Sequence, residues 1–197
     1  PGIFSAAGLE VAEYDYFDAA SGTLDAQALL DSLAQIPAGD IVCLHACCHN
    51  PSGVDPTPEQ WQEVSRVITD GGLLPLVDFA YQGFGDGLEP DSAGLRALAG
   101  PDCKLLVASS FSKNFGLYRE RVGALSVVTG DPDTAAVVLS RLKQTIRANY
   151  SNPPSHGAAI VTTILGDDQL RAGWETELAT MRARINDTRQ ALADGLA

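Results

Sequence analysis

Lys113 follows an apolar run, Leu105-Leu106-Val107-Ala108, in the polar segment Ser109-Ser110-Phe111-Ser112-Lys113. A lysine amine at the mouth of a buried strand can attack a carbonyl carbon. Asp78 closes a similar run, Leu73-Leu74-Pro75-Leu76-Val77-Asp78, where a carboxylate can hold a protonated ring nitrogen. Tyr81 lies three residues further on, and Asn50 sits in His49-Asn50-Pro51-Ser52-Gly53. A phenol and an amide can both donate to a phenolate oxygen. Ser110 and Arg121 can clamp a phosphate between a hydroxyl and a guanidinium fork. Read singly, each residue has a plainer reading: a surface lysine, a cap, a packed tyrosine, a turn asparagine, a surface arginine. Read together, they are the protein groups a pyridoxal phosphate site requires.

The elements that must position these residues alternate regularly. Leu9–Tyr16 is expected as a short strand, and Leu24–Ile36 as a helix with Leu24, Ala28, Leu29, Leu33 and Ile36 at helical spacing. A strand follows over Asp40–Cys47. Thr57-Pro58-Glu59-Gln60 is a helix start with capping residue, first-position proline and Gln three residues on. That helix carries Trp61, Val64 and Ile68 and stops at Gly71-Gly72. Strands are expected over Leu73–Phe79, Lys104–Ala108 and Val122–Val128. Helices are expected from Asp131-Pro132, over Ser155–Leu165, and from about Asp168, the last with Leu170, Trp174, Leu178, Met181 and Ile185 on one stripe. Strands apolar throughout, separated by amphipathic helices, indicate an α/β fold of three layers, α/β/α, around a mostly parallel sheet. Ligands in such folds lie beyond the C-terminal ends of the strands. His49-Asn50-Pro51, Asp78 to Tyr81 and Ser109 to Lys113 should therefore line one crevice.

Four ordered segments carry a family resemblance: His49 to Gly53, Asp78-Phe79-Ala80-Tyr81-Gln82-Gly83-Phe84, Ser110 to Tyr118 with Arg119-Glu120-Arg121-Val122-Gly123, and Arg147-Ala148-Asn149-Tyr150-Ser151-Asn152-Pro153-Pro154. They resemble the class I aminotransferases of fold type I, nearest the aspartate aminotransferase branch, with the aromatic aminotransferases beside it. The resemblance implies that Lys113 joins the cofactor pyridoxal 5'-phosphate covalently and shuttles a proton. It implies that Asp78 pairs with the pyridinium nitrogen and that Tyr81 and Asn50 bond the ring oxygen. Ser110 and Arg121, with Ser112, would bind the phosphate. Arg147 would read the second carboxylate of a dicarboxylic substrate across a homodimer interface. The implied reaction moves an amino group between aspartate and 2-oxoglutarate in ping-pong fashion. The alternative is an aromatic amino acid substrate, and a non-catalytic aminotransferase-like module is more remote. The resemblance further implies an incomplete large domain over residues 1–165 and, over 166–197, a long helix leading toward a small domain. Taken alone, the chain is expected to be incomplete for activity.

Composition narrows the partners. The 197 residues carry 13 Lys plus Arg against 25 Asp plus Glu, a net charge of −12, which disfavours nucleic acid or an anionic membrane surface. Only three lysines occur, Lys104, Lys113 and Lys143, so each is a notable position. No apolar run reaches the ~20 residues of a membrane-spanning helix. Four cysteines, two of them adjacent, suit a reducing, cytoplasmic setting better than a disulfide scaffold. His45-Ala46-Cys47-Cys48-His49 crowds four potential metal ligands. On a strand, however, Cys47 and Cys48 point to opposite faces, so no metal is expected there.

Overall fold

The computed structural model describes residues 2–100 and 103–196. Pro1 and Ala197, the outer limits of the expected 1–165 and 166–197 division, lie outside the described residues. In chain order the elements are α1 (Gly2–Ala6), β1 (Phe17–Asp18), β2 (Thr23–Leu24), α2 (Ala26–Ala34), β3 (Ile41–His45), α3 (Pro58–Asp70) and β4 (Leu74–Phe79). A 3-10 turn over Pro90–Ser92 then leads into α4 (Ala93–Leu98), followed by β5 (Leu105–Ser110), β6 (Gly123–Val128), α5 (Pro132–Asn149), α6 (Ser155–Leu165) and α7 (Asp168–Leu196).

Local chemistry explains the helix ends. Thr57 Oγ accepts the Gln60 N–H while Gln60 Oε1 accepts the Thr57 N–H at 2.8 Å, a complete capping box with Pro58 just inside the helix. Asp25 caps α2 by accepting the Ala28 N–H at 3.0 Å. Asp131 caps α5 in the same way, through the Thr134 N–H at 2.7 Å.

The sheet runs β3-β4-β5-β6, with the first three strands parallel and β6 antiparallel to β5. Alternation along each strand sends Val42, Leu44, Val77, Phe79, Leu105 and Val107 into the core. There they meet Leu29 and Leu33 of α2, Trp61, Val64 and Ile68 of α3, and Leu98 of α4. Burying a side chain such as Leu33 or Val77, each 0% exposed, contributes about 1.5–3 kcal/mol. The α3–α4 contact is close because α4 presents Gly94, where a Cβ would collide with the Trp61 indole. The opposite face of the sheet is less covered. Ile41 and Ala108 are exposed there, and Asp78 is half-buried. The α/β class and the mostly parallel sheet match expectation.

Two local expectations require correction. Leu9–Tyr16 is not a strand, because among the described residues no neighbouring strand offers it a ladder of hydrogen bonds. Side chains anchor it instead: Tyr14 donates its hydroxyl to the Cys43 carbonyl at 2.6 Å and Tyr16 donates to that of Val54 at 2.7 Å. Burial, with the nearby Cys43, pushes the Tyr14 phenol up to about 12, so it stays a donor. The expected stripe on α7 is also narrower than drawn. Leu178 is buried and Trp174 half-buried, whereas Leu170 and Ile185 are exposed. Among the described residues, no helix is long and apolar enough to cross a membrane.

Candidate active site

Parallel pairing places the C-terminal ends of three strands along one edge. His45 of β3 lies opposite Asp78 of β4, and Asp78 lies opposite Ala108 of β5. The loops that follow carry Asn50, Tyr81 and Lys113, so all three leave the same side of the sheet. Within this edge the lysine and the tyrosine meet: Lys113 Nζ stands 4.6 Å from the Tyr81 ring centroid. An ammonium over a phenol ring is attracted by its quadrupole.

Several short bonds shape the lysine loop. The Phe111 N–H donates to the Val122 carbonyl at 3.1 Å, and the Gly116 N–H to that of Lys113 at 3.0 Å. The Ser112 N–H donates to Ser110 Oγ at 3.2 Å, leaving the Ser110 hydroxyl proton free to serve another acceptor. Ser112 and Asn114, on either side of Lys113, are buried, whereas Lys113 is half-buried. Arg121 lies two residues before Gly123, which pairs with Ser110 across β5 and β6. Arg121 has a left-handed backbone, φ 50°, and its Nη1 donates to the Tyr118 carbonyl at 3.2 Å. Serine hydroxyl and guanidinium thus come from adjoining strand ends.

The Asn50 segment is held by Asp55. Its carboxylate accepts the N–H of Cys48 at 2.6 Å and of His49 at 2.8 Å. The His49 ring stacks on Tyr16 with centroids 4.1 Å apart, and its Nδ1 lies 2.7 Å from Ser52 Oγ. Burial, helped by neighbouring His45 and opposed by Asp55, lowers the proton affinity of His49. The Asn50 N–H donates to His45 Nδ1 at 3.3 Å, and Asn50 itself is exposed. These histidines therefore serve the loop, and Cys47 turns into the core.

Arg147 stands apart. It occupies the last turn of α5, exposed, with Nη1 donating to Ser151 Oγ. It makes no hydrogen bond to Lys113, Asp78 or Tyr81 among the described residues.

The donor set can be tested against the group expected from the sequence. An amine suits an aldehyde, a carboxylate a protonated ring nitrogen, a phenol and an amide a ring oxygen, and a hydroxyl with a guanidinium a phosphate. Among the described residues, Lys113, Asp78, Arg121 and Arg147 form no ion pair. The two pairs found, Arg96–Glu89 and Arg171–Glu175, lie on exposed surface. The Asp78 carboxylate and Tyr81 hydroxyl likewise have no hydrogen-bond partner among these residues. The chemistry of the set fits pyridoxal phosphate.

Other supporting residues are not apparent from motif reading. Asp91, buried, accepts the N–H groups of Gly83, Gly85, Asp86 and Gly87 and so knots the loop after Tyr81. The signal for it was the glycine-rich run Gly83-Phe84-Gly85-Asp86-Gly87, a backbone suited to wrap around an acceptor. Asn114 donates its Nδ2–H to the Gln82 carbonyl at 3.3 Å, joining the tyrosine and lysine loops.

The family model for aminotransferase class I and II matches residues 1–197. The aspartate aminotransferase of Escherichia coli strain K12 is 56% identical over 194 residues, covering 98% of this chain and 49% of that protein. The aspartate aminotransferase of Salmonella typhi is 57% identical over the same coverage. Among solved structures, an aromatic-amino-acid aminotransferase from Burkholderia pseudomallei, covalently bound to pyridoxal phosphate, superposes with a TM-score of 0.96 at 49% identity. That match covers 98% of this chain and 48% of the other. The chain spans about half the length of the curated relatives it matches. With its whole length under one family model and its backbone following a solved member, the chain belongs to the class I and II aminotransferases.

Proposed function

We propose that the whole protein is a pyridoxal-phosphate-dependent transaminase that exchanges an amino group between L-aspartate and 2-oxoglutarate. The observation that carries this reading is the Lys113 amine 4.6 Å over the Tyr81 ring, at the strand edge where Asp78 stands. The cofactor, when bound, supplies an electron sink that stabilises negative charge at the substrate Cα. Lys113 would hold the cofactor covalently and, once released by substrate, take the Cα proton on Nζ and pass it to the cofactor carbon C4′. The Asp78 carboxylate would keep the ring nitrogen protonated. Tyr81 and Asn50 would donate to the ring oxygen, and Ser110, Ser112 and Arg121 would orient the phosphate.

Arg147 would recognise the second carboxylate of the substrate by a bidentate bond, acting across a homodimer interface. Two observations support that role. Its guanidinium has no acidic partner among the described residues, and α5 buries no residue fully while exposing Val137 and Leu139. An amphipathic helix left so open suits a subunit contact. Residues 1–165 would belong to the cofactor-binding domain, with α7 leading toward the substrate-closing part. Four free thiols, two of them adjacent, suit the cytoplasm. An aromatic substrate is the second reading, favoured by the TM-score of 0.96 to an aromatic-amino-acid aminotransferase. Comparing kcat/KM for aspartate and tyrosine separates the two.

The deciding experiment is Lys113→Ala in the whole protein. Parent protein should show a visible absorbance that borohydride abolishes, and the variant should lose both the band and turnover. A variant that kept them would refute the assignment.

A further inference from the structure

Helix α7 grips the site from outside with three side chains four residues apart, Trp174, Leu178 and Arg182, which share one face. Trp174 Nε1–H donates to the Asn114 carbonyl at 2.7 Å, and its indole stacks on Phe115 with centroids 4.5 Å apart and planes 14° apart. Leu178, 1% exposed, packs on Gly83, and Arg182 Nη1 donates to the Gly83 carbonyl at 3.0 Å. One stripe therefore touches both loops that flank the amine, the one bearing Lys113 and the one following Tyr81. Asn114 ties those loops together through Nδ2, while its buried Oδ1 has no partner among the described residues. The residue next to Lys113 is thus fixed by two bonds from outside its loop, one to Gln82 and one from Trp174.

We propose that Trp174 is a positioning residue for Lys113: α7, through the indole bond to Asn114 and the stack on Phe115, sets where Nζ stands relative to Tyr81. This rests on the reading that Lys113 carries the cofactor. A lysine side chain is long and flexible, so the backbone from which it springs decides its reach. Phe111, edge-on to Phe115 at 5.6 Å, extends the same packed row back toward β5.

The test uses the whole, cofactor-loaded protein. Trp174→Phe keeps an aromatic stack and removes the N–H donor. Losing one such bond is expected to change the local equilibrium about two- to tenfold. The midpoint of the pH titration of the visible absorbance should then move by about 0.3 to 1 pH unit. Phe115→Leu removes the stack, keeps the indole bond, and should move the midpoint in the same direction; it alone decides if Trp174→Phe fails to fold. Melting temperatures are recorded in parallel. Midpoints equal to the parent in every folded variant, even with a lowered melting temperature, would overturn the proposal, because Trp174 would then only pack. Lys113→Ala separates the two readings. If it keeps the absorbance, the role of Lys113 has failed; if it loses it while Trp174→Phe titrates like the parent, only the positioning has failed.

Discussion

Gly83→Ala should be among the most damaging single-methyl changes in this chain. Gly83 has φ +96°, a backbone region that L side chains rarely adopt, and an added Cβ there would collide with Leu178 and approach Leu88 Cδ2 at 3.3 Å. The backbone penalty for alanine in such a conformation is about 1–2 kcal/mol. Crowding into a packed site adds about 1–3 kcal/mol, since Leu178 is buried and has little room to turn. The sum, about 2–5 kcal/mol, is a large fraction of the ~5–15 kcal/mol typical of a folded domain. Urea unfolding followed by circular dichroism would read it as a lowered midpoint at unchanged slope. Gly173→Ala is the control. It lies inside α7 with nothing within 4 Å of the added Cβ, and should stabilise by about 0.5–1 kcal/mol. If crowding is the cause, Gly83→Ala combined with Leu178→Ala should cost less than the sum of the two singles. A loss below about 1 kcal/mol for Gly83→Ala, or strict additivity in the double variant, would refute the reasoning.

Two further outcomes concern the loops around the site. Burial, first, and then His45 hold the proton affinity of His49 below its ordinary value near 6.5, so the folded state favours the neutral ring. The unfolded chain then takes up the proton first as pH falls. Stability should be full above about pH 6.5 and decline below it, through the lowered folded value, and His49→Gln should remove that part of the decline. Equal declines in parent and variant would contradict the assignment. Asp91→Asn should destabilise by about 1.5–3 kcal/mol, because an amide offers one acceptor oxygen where the carboxylate serves four N–H groups with two. Chemical denaturation checks it, and faster amide exchange over residues 83–87 should accompany the loss.

Much of the frame was legible because its causes are local. The Thr57 capping box, the Asp131 cap and the start of α6 at Ser155 depend on residues within a turn of one another. β3, β4 and β5 were readable as apolar runs bounded by polar residues. α4 was not, since Ala93–Leu98 is too short to display a period. Leu9–Tyr16 was misread for a different reason: alternation marks a chain fit to be a strand, but a strand exists only where another pairs with it. The candidate residues could be named from motifs. The groups holding them could not, because Trp174 reaches Asn114 from 60 positions away and Arg182 reaches Gly83 from 99.

Taken by itself, the amino-acid order determined the longer helices and the apolar central strands, and which side chains have the chemistry of an amine, a carboxylate, a phenol and a phosphate clamp. Those properties belong to single residues and their near neighbours. Only the tertiary structure decided that Lys113 stands over Tyr81, that β6 runs antiparallel beside β5, and that α7 fastens the lysine loop to the tyrosine loop. Distances across the sheet edge depend on strand order and helix docking, which are set by the burial of Leu33, Val77 and Leu178 against partners far along the chain. That is a collective property of packing, and no short stretch of sequence contains it.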